Sequence, residues 1–493
     1  MIITINQLIA FSPLLILLLT VIITMLSIAC NRNHFVTFLC SIIGLILSLL
    51  SLYIVRMSVP IDVTMLFHID KYSLLYLVII IFSSIISCIF SYSWLKNCIY
   101  NREEFYLLLL FSTIGCVSLI IANHMSILFI GMELMSLPTL GLIAYTYFKR
   151  NSLEAAIKYM ILSCSVSVLA LFGIALIYSI TGSLTFSSLI YELLVSITHP
   201  DSVLLCGLGL VILAFSFKLS IFPFHIWTPD VYRGTSSVAL MYLSIATKIT
   251  VLSLFFKIFI FLIFFHIDVF NIILEIMLCI SIIFGSIMAL FQTSIKRFLG
   301  YSSISQSGYL LTSLLSSNDF NFSLESIGIY LISYLLSSIG ILGLISIISH
   351  LDDESQFDSI ICYRGLFWYN PIFSSIMTIM LFSLSGIPIT IGFIGKFYLL
   401  SLIIKENFWL LGIVFITGSI IGMYSYLRIV TCLYLAPLDN FNTKRIVVNI
   451  NSKKYVFFLF IISLLVLILG IYPNAIIDII SKSEPIIFNS IRY

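Results

Sequence analysis

An apolar segment that starts near Val203 carries a lysine, Lys218, in its interior and then meets two prolines six residues apart, Pro223 and Pro229. Proline lacks the backbone donor, and its ring clashes with the carbonyl four residues earlier, so a helix entering this stretch breaks or kinks at Pro223. The apolar runs on both sides are long enough to cross a bilayer, which takes 18 or more residues. A break at bilayer depth strands amides and carbonyls that lipid does not satisfy. It survives only where it is buried in protein or faces a water-filled cavity. A lysine beside such a break points to an ion pathway through a membrane.

Composition removes most other functions. The chain is 61% hydrophobic and 9% charged, whereas a soluble domain carries about 25% charged residues. A net charge of +3, with no basic cluster interleaved with aromatics, gives no argument for nucleic acid. The ten cysteines are scattered, most within apolar runs, and no CxxC occurs. Neither zinc nor iron–sulfur sites are expected, and a membrane-buried cysteine usually behaves as a small hydrophobe rather than a disulfide partner. The start lacks the basic region of a cleaved signal, so the first apolar run is expected to stay as a span. Gly207-Leu-Gly209 is not followed by the third glycine of a dinucleotide fingerprint, and no Walker loop or nucleophile elbow occurs. NADH, flavin and ATP are therefore not expected to bind this chain.

The apolar runs read as an all-α polytopic membrane protein with about 14 transmembrane helices, near 8–28, 34–55, 72–95, 104–121, 124–147, 156–181, 203–224, 236–262, 271–292, 299–316, 324–349, 371–402, 408–435 and 455–476. The eighth run continues apolar to His266, and splitting it in two would invert everything downstream. With the N-terminus outside, the loops read as cytoplasmic hold 13 cations, including Lys149, Arg150, Arg233, Lys296, Arg297, Lys444 and Arg445. The opposite side holds five: Arg56, Lys71, Lys405, Lys482 and Arg492. This bias puts both termini on the periplasmic side. The acidic loop Asp352-Asp353-Glu354 reads as a solvated cytoplasmic turn, and His34, His68, His199 and His350 as interfacial.

Six cations fall inside apolar runs: Lys158, Lys218, Lys248, Lys257, Lys396 and Arg428, joined by Glu133 and Glu275. A charge at mid-bilayer costs about 2.5–3.5 kcal/mol on insertion scales. These groups must therefore face each other or water. Lysine suits a proton relay because it ionises at modest shifts, which arginine does not.

The stretch 215–237 resembles the signature of the antiporter-like membrane subunits of respiratory complex I, the proton-pumping NADH-quinone oxidoreductase. Three further stretches agree: Gly131-Met-Glu133-Leu-Met-Ser136-Leu-Pro138, Ser152-Leu-Glu154-Ala-Ala-Ile-Lys158-Tyr159, and Ser385-Gly386-Ile-Pro388 with Gly392-Phe-Ile-Gly395-Lys396. With residues 296–309 they carry the resemblance from about Gly131 to Phe397. One departure is Thr235-Ser236-Ser237, where the family commonly has prolines after the glycine matched by Gly234.

A second interrupted segment, 371–402, is broken at Gly386-Ile-Pro388 and lies five segments after the first. Interrupted spans at matching places in two halves indicate an internal repeat with sites at the repeat interface. Five is odd, so the copies are expected to be inverted. Together with the resemblance this divides the chain into 1–100 (three N-terminal helices), 101–266 and 267–436 (two five-helix repeats, each with a broken helix) and 437–493 (a C-terminal helix and tail).

The resemblance implies roles for single residues. Glu133 is the glutamate that modulates a nearby lysine and pairs with Lys218; a structural helix–helix hydrogen bond is its plainer reading, as snorkelling is for Lys218. Lys248 is the central proton carrier, Lys396 the lysine towards the periplasmic exit, and Lys158 a lysine near the channel. Lys296 is either a channel residue or a positive-inside anchor. His225 sits in the break itself, where an imidazole titrating near neutral pH could bridge two lysines. The resemblance also implies a bacterial inner-membrane location. Other membrane-arm subunits would be partners, while NADH, FMN, iron–sulfur clusters and quinone would be bound in partner subunits. Two other readings use the same residues: a multi-subunit cation/proton antiporter, and an assembly protein whose charges are locked in static pairs.

Overall fold

The computed structural model describes residues 4–96, 98, 102–189, 202–264, 268–315, 320–349, 358–437 and 452–483. His199, His350, Asp352-Asp353-Glu354, Lys444, Arg445 and Arg492 lie outside the described residues. The described part is a bundle of helices with one two-stranded hairpin, in which Ile61–Asp62 pairs antiparallel with His68–Ile69.

Eleven helices among the described residues are long and apolar enough to cross a membrane. They match eleven of the fourteen expected spans. The other three are shorter or divided. Glu104–Ile120 has 17 residues and rises about 25 Å, a little under the roughly 30 Å of hydrocarbon. Ile295–Leu311 is also 17 residues and opens on Lys296 and Arg297. The run 371–402 is two helices, Pro371–Ser385 and Ile391–Lys405. The eighth segment is undivided: it runs helical from Ser237 to Phe264, with a π-helical turn at Leu243–Thr247 directly before Lys248. Such turns mark functional positions in many helices.

The centre of the bundle is set by two segments, Ser237–Ile258 and Asn321–Ile348, each 94% buried. Arg150–Thr181, Trp409–Tyr434 and Lys453–Ile471 lie at the periphery, with large apolar side chains such as Phe172, Ile420 and Ile468 exposed. That outward surface is what a lipid or subunit-facing helix presents. Small residues let helices meet closely. A Cβ on Gly173 would lie 2.7 Å from the Gly207 carbonyl, so Arg150–Thr181 crosses Ser202–Leu219 almost backbone to backbone. This crossing brings Tyr159 beside Lys218.

Packing repeats along the chain. Glu104–Ile120 packs on Met125–Ile143 as Asp268–Leu290 packs on Ile295–Leu311. Arg150–Thr181 packs on Ser202–Leu219 as Phe320–Ser349 packs on Pro371–Ser385 and Ile391–Lys405.

Candidate functional site

Two helix breaks frame the interior. Ser202–Leu219 stops four residues before Pro223, at the position whose carbonyl the proline ring would strike. The Ile221 amide donates to the Ser216 carbonyl and the Ser220 amide to the Phe217 carbonyl, both at 3.0 Å, with Ser220 left-handed at φ 59°. These are the paired bonds of a Schellman motif, here built on serine rather than the usual glycine. The chain turns through residues 221–226 and re-enters a helix at Trp227–Gly234. The Trp227 indole donates to the same Phe217 carbonyl at 3.0 Å, tying the new helix to the broken end. The second break uses the same device. Gly386 follows Ser385 at φ 80°, with the Ile387 amide on the Phe382 carbonyl (3.0 Å) and the Gly386 amide on the Ser383 carbonyl (3.2 Å).

The lysines sit around these breaks. Lys218, 7% exposed, donates to Tyr159 Oη at 3.4 Å and lies 5.5 Å from the centre of that ring. Among the described residues no carboxylate comes within 4.0 Å of it. Glu133 is not in direct contact with Lys218. Its helix carries Ile130 and Leu137, 56% and 61% exposed, one turn to either side, so Glu133 lies next to an outward face. Its Oε2 accepts from Ser136 Oγ at 3.5 Å. The Glu133 helix meets the partner of Lys218 through a hydroxyl: Thr139 lies 3.5 Å from Tyr159 Oη.

Lys248, 3% exposed, donates to Ser220 Oγ at 3.2 Å and to the Ser303 carbonyl at 3.3 Å, with the Tyr232 ring centre 5.8 Å away. Ser220 is the residue on which the first break turns. Lys396, 9% exposed, donates to the Ser385 carbonyl at 2.9 Å and lies 5.1 Å from the Tyr309 ring centre. That carbonyl belongs to the last turn of Pro371–Ser385, the negative end of a helix dipole, which favours an ammonium. Lys218, Lys248 and Lys396 thus share one kind of environment: a buried amine, a neutral oxygen and a tyrosine face, an arrangement with cation–π character.

Between Lys248 and Lys396 stands a residue that sequence reasoning passed over. Gln306 is one turn beyond Ser303 and donates to the Leu384 carbonyl at 3.1 Å and to Tyr426 Oη at 3.2 Å, while Tyr330 Oη donates to its side-chain oxygen. A cavity of about 20 Å³ is lined by Tyr232, Ser303, Gln306, Tyr334 and Leu384 among others, enough for one water molecule, which needs about 10–15 Å³. Ser303 and Gln306, one turn apart on one helix, thus place polar groups between Lys248 and the adjacent Leu384 and Ser385 carbonyls that meet Gln306 and Lys396.

The remaining expected residues stand apart from this row. Lys158 is 42% exposed and paired with Glu154 and Asp230, each at 2.6 Å; Asp230 also holds Arg297 at 2.8 Å. Lys296 is 5% exposed and donates to the Thr235 carbonyl at 2.9 Å, so it is buried against the loop after the first break and is not a solvent-facing anchor. His225 is held between the rings of Phe222 and Phe284, 5.3 and 4.6 Å away, and no hydrogen bond joins it to Lys218 or Lys248. Its Nδ1 has no partner among the described residues. Arg428 binds the Leu290 and Gln292 carbonyls at the end of a neighbouring helix.

Comparison with known proteins places this geometry. A family model described as "NADH:quinone oxidoreductase/Mrp antiporter, TM" matches residues 122–422. Two relatives named NADH-quinone oxidoreductase subunit N come from Buchnera aphidicola. The one from subspecies Acyrthosiphon pisum is 46% identical over 97% of this chain and 99% of its own length. The one from subspecies Schizaphis graminum is 47% identical over 98% and 100%. In fold, the chain is similar to one in respiratory complex I from Thermus thermophilus with bound aureothin (TM-score 0.80, 24% identity, 94% of this chain and 98% of that one). It is also similar to one in the Mrp complex from Dietzia sp. DQ12-45-1b (TM-score 0.82, 16% identity, 97% of each). The chain belongs to the NADH-quinone oxidoreductase subunit N family, the antiporter-like membrane subunits of complex I.

Proposed function

We propose that this chain translocates protons within the membrane arm of an NADH-quinone oxidoreductase, driven by electron transfer from NADH to quinone in partner subunits. Those partners carry NADH, FMN, iron–sulfur clusters and quinone. The carrying observation is that Lys218, Lys248 and Lys396 are buried with no carboxylate within 4.0 Å among the described residues. Static pairing, the requirement of the assembly-protein reading, is met by Lys158 but not by these three. Moving one charge against 100 mV takes about 2.3 kcal/mol, equivalent to a change of roughly two in the pKa of the carrying amine. A small change in what surrounds a buried amine supplies that.

In this reading Glu133 modulates Lys218 through Thr139 and Tyr159, Lys248 is the central carrier, and Lys396 hands the proton to the far side. Lys296 and His225 line the break without belonging to the row. The matching helix packing supports two inverted five-segment repeats, 101–266 and 267–436, in fourteen crossings, with the two shorter helices and the divided segment counted among them. The cation bias supports periplasmic termini in a bacterial inner membrane, with other antiporter-like and small membrane-arm subunits as neighbours. The antiporter reading shares the fold, but near-full-length identity of 46–47% to subunit N proteins favours the oxidoreductase. In membrane vesicles holding the assembled complex, Lys248→Ala is expected to abolish NADH-driven proton uptake. Uptake at the normal ratio to NADH oxidation would overturn the proposal.

A further inference from the structure

A second group of titratable side chains lies away from the lysine row, where the hairpin of Ile61–Asp62 and His68–Ile69 meets the end of Glu104–Ile120. Asp70 is fully buried at the start of Lys71–Lys96. Its Oδ1 accepts from the Ser73 amide at 2.8 Å, but its Oδ2 has no partner among the described residues. His68, two residues earlier on the second strand, holds Asp62 Oδ1 with Nδ1 at 2.5 Å. Its Nε2 is buried and also without a partner among the described residues. Buried polar atoms are nearly always hydrogen-bonded, so two orphans within three residues, both on groups that take up protons, need an explanation.

Lys257 supplies it. This amine is 6% exposed and donates to the Ala122 carbonyl at 3.2 Å. Ala122 in turn pairs with Phe67, the residue before His68, which sets the amine beside the hairpin. Asp62 itself is 72% exposed and opens the group to the aqueous phase. On the inner side, Thr250, Ser253 and Lys257 fall on one stripe of the Lys248–Phe264 helix, three and four residues apart. Thr250 and Ser253 are buried, and the Ser253 carbonyl accepts from Tyr72 Oη at 2.9 Å.

We propose that Lys257, Asp70, His68 and Asp62 form a second proton-carrying site, a lateral port at the hairpin end of the first repeat. It rests on the reading of the chain as a proton translocator. The Lys257 ammonium gives its proton through water to Asp70 Oδ2, leaving a neutral amine and a neutral acid. Asp70 passes it, again through water, to His68 Nε2, which is free to accept because Nδ1 donates to Asp62. The imidazolium then loses a proton to water beside Asp62. Each step moves one proton and no electrons.

The test uses vesicles with the assembled complex, measuring NADH oxidation and proton uptake together in Lys257→Met, Lys257→Arg, Asp70→Asn and, as reference, Lys248→Ala. Uptake per NADH is expected to fall by roughly tenfold or more in each. Arginine is the discriminating change, because it keeps the charge and the bond to Ala122 but does not release a proton. Normal uptake with Lys257→Arg means a structural cation and overturns the port. Normal uptake in all Lys257 and Asp70 variants, with Lys248→Ala inactive, overturns the port and leaves the wider reading standing. Normal uptake in Lys248→Ala as well removes both. If the Lys257 variants do not assemble, Asp62→Asn and Asp62→Lys decide, because that side chain is exposed. Slowed uptake supports the port, and unchanged uptake sinks it.

Discussion

The ammonium of Lys248 meets the hydroxyl of Ser220, 3.2 Å away, at the residue where the first broken helix turns left-handed. An amine on one segment therefore reads the backbone geometry of another. Any shift of the break alters the surroundings of Lys248 directly.

Substitution at Ser220 separates the two roles of that residue. Ser220→Gly keeps the left-handed turn and removes its steric cost, about 1–2 kcal/mol for a residue with a Cβ. The complex should assemble and resist heat at least as well as the parent, yet pump more slowly because Lys248 has lost its oxygen. Ser220→Val, β-branched at φ 59°, should destabilise by about 1–3 kcal/mol. Thermal inactivation and proton uptake of purified complex in liposomes check both.

Gly386 is expected to tolerate no side chain. Its φ is 80°, and a Cβ there would lie 2.7 Å from Lys396 Cδ. Gly386→Ala should displace Lys396 from the Ser385 carbonyl and lower proton uptake far more than it lowers assembly. Quantifying the complex in membranes alongside the pumping rate gives the answer.

Tyr159 contacts Lys218 and, through Thr139, the helix that carries Glu133. Tyr159→Phe keeps the ring under Lys218 but removes the hydroxyl that contacts both Lys218 and Thr139. Its effect should not add to that of Glu133→Gln. A double-mutant cycle on pumping rate is expected to return a coupling of about 0.5–3 kcal/mol. Simple additivity would mean that the glutamate reaches Lys218 some other way.

Lys158 should behave unlike the other lysines. It is tied to Glu154 and Asp230 at 2.6 Å each and is 42% exposed. Lys158→Arg keeps such a pair and should pump normally, whereas arginine at Lys248 or Lys396 should not pump. Lys158→Met should cost stability only about 0–1 kcal/mol, the usual worth of exposed pairs. Paired assays of the three arginine variants check the contrast.

Elements of this picture that depend on neighbours in sequence were legible beforehand. Pro223 and Gly386-Ile-Pro388 announced both breaks, and the buried lysines stood out because charge is rare in apolar runs. What could not be read depends on segments far apart in the chain. Lys218 and Tyr159 are 59 positions apart, and Gln306 and Tyr426 are 120 apart; no periodicity records such meetings. Asp230 was given no role from the sequence, because only the fold brings Lys158 and Arg297 to it. No direct Glu133–Lys218 pair forms among the described residues, because Glu133 sits beside an outward helix face. The helix end at Leu219 was in principle predictable, since Pro223 acts four residues back. His68, expected at an interface, is partly buried and bound to Asp62.

Each of Lys218, Lys248 and Lys396 rests over a phenol rather than beside an acid. When an amine next to a carboxylate gives up its proton, a lone negative charge is marooned in oil and pulls the proton back. An aromatic face attracts a cation yet carries no net charge of its own, so a discharged lysine leaves nothing behind. Filling and emptying become comparably easy, which is the property a reversible turnstile needs.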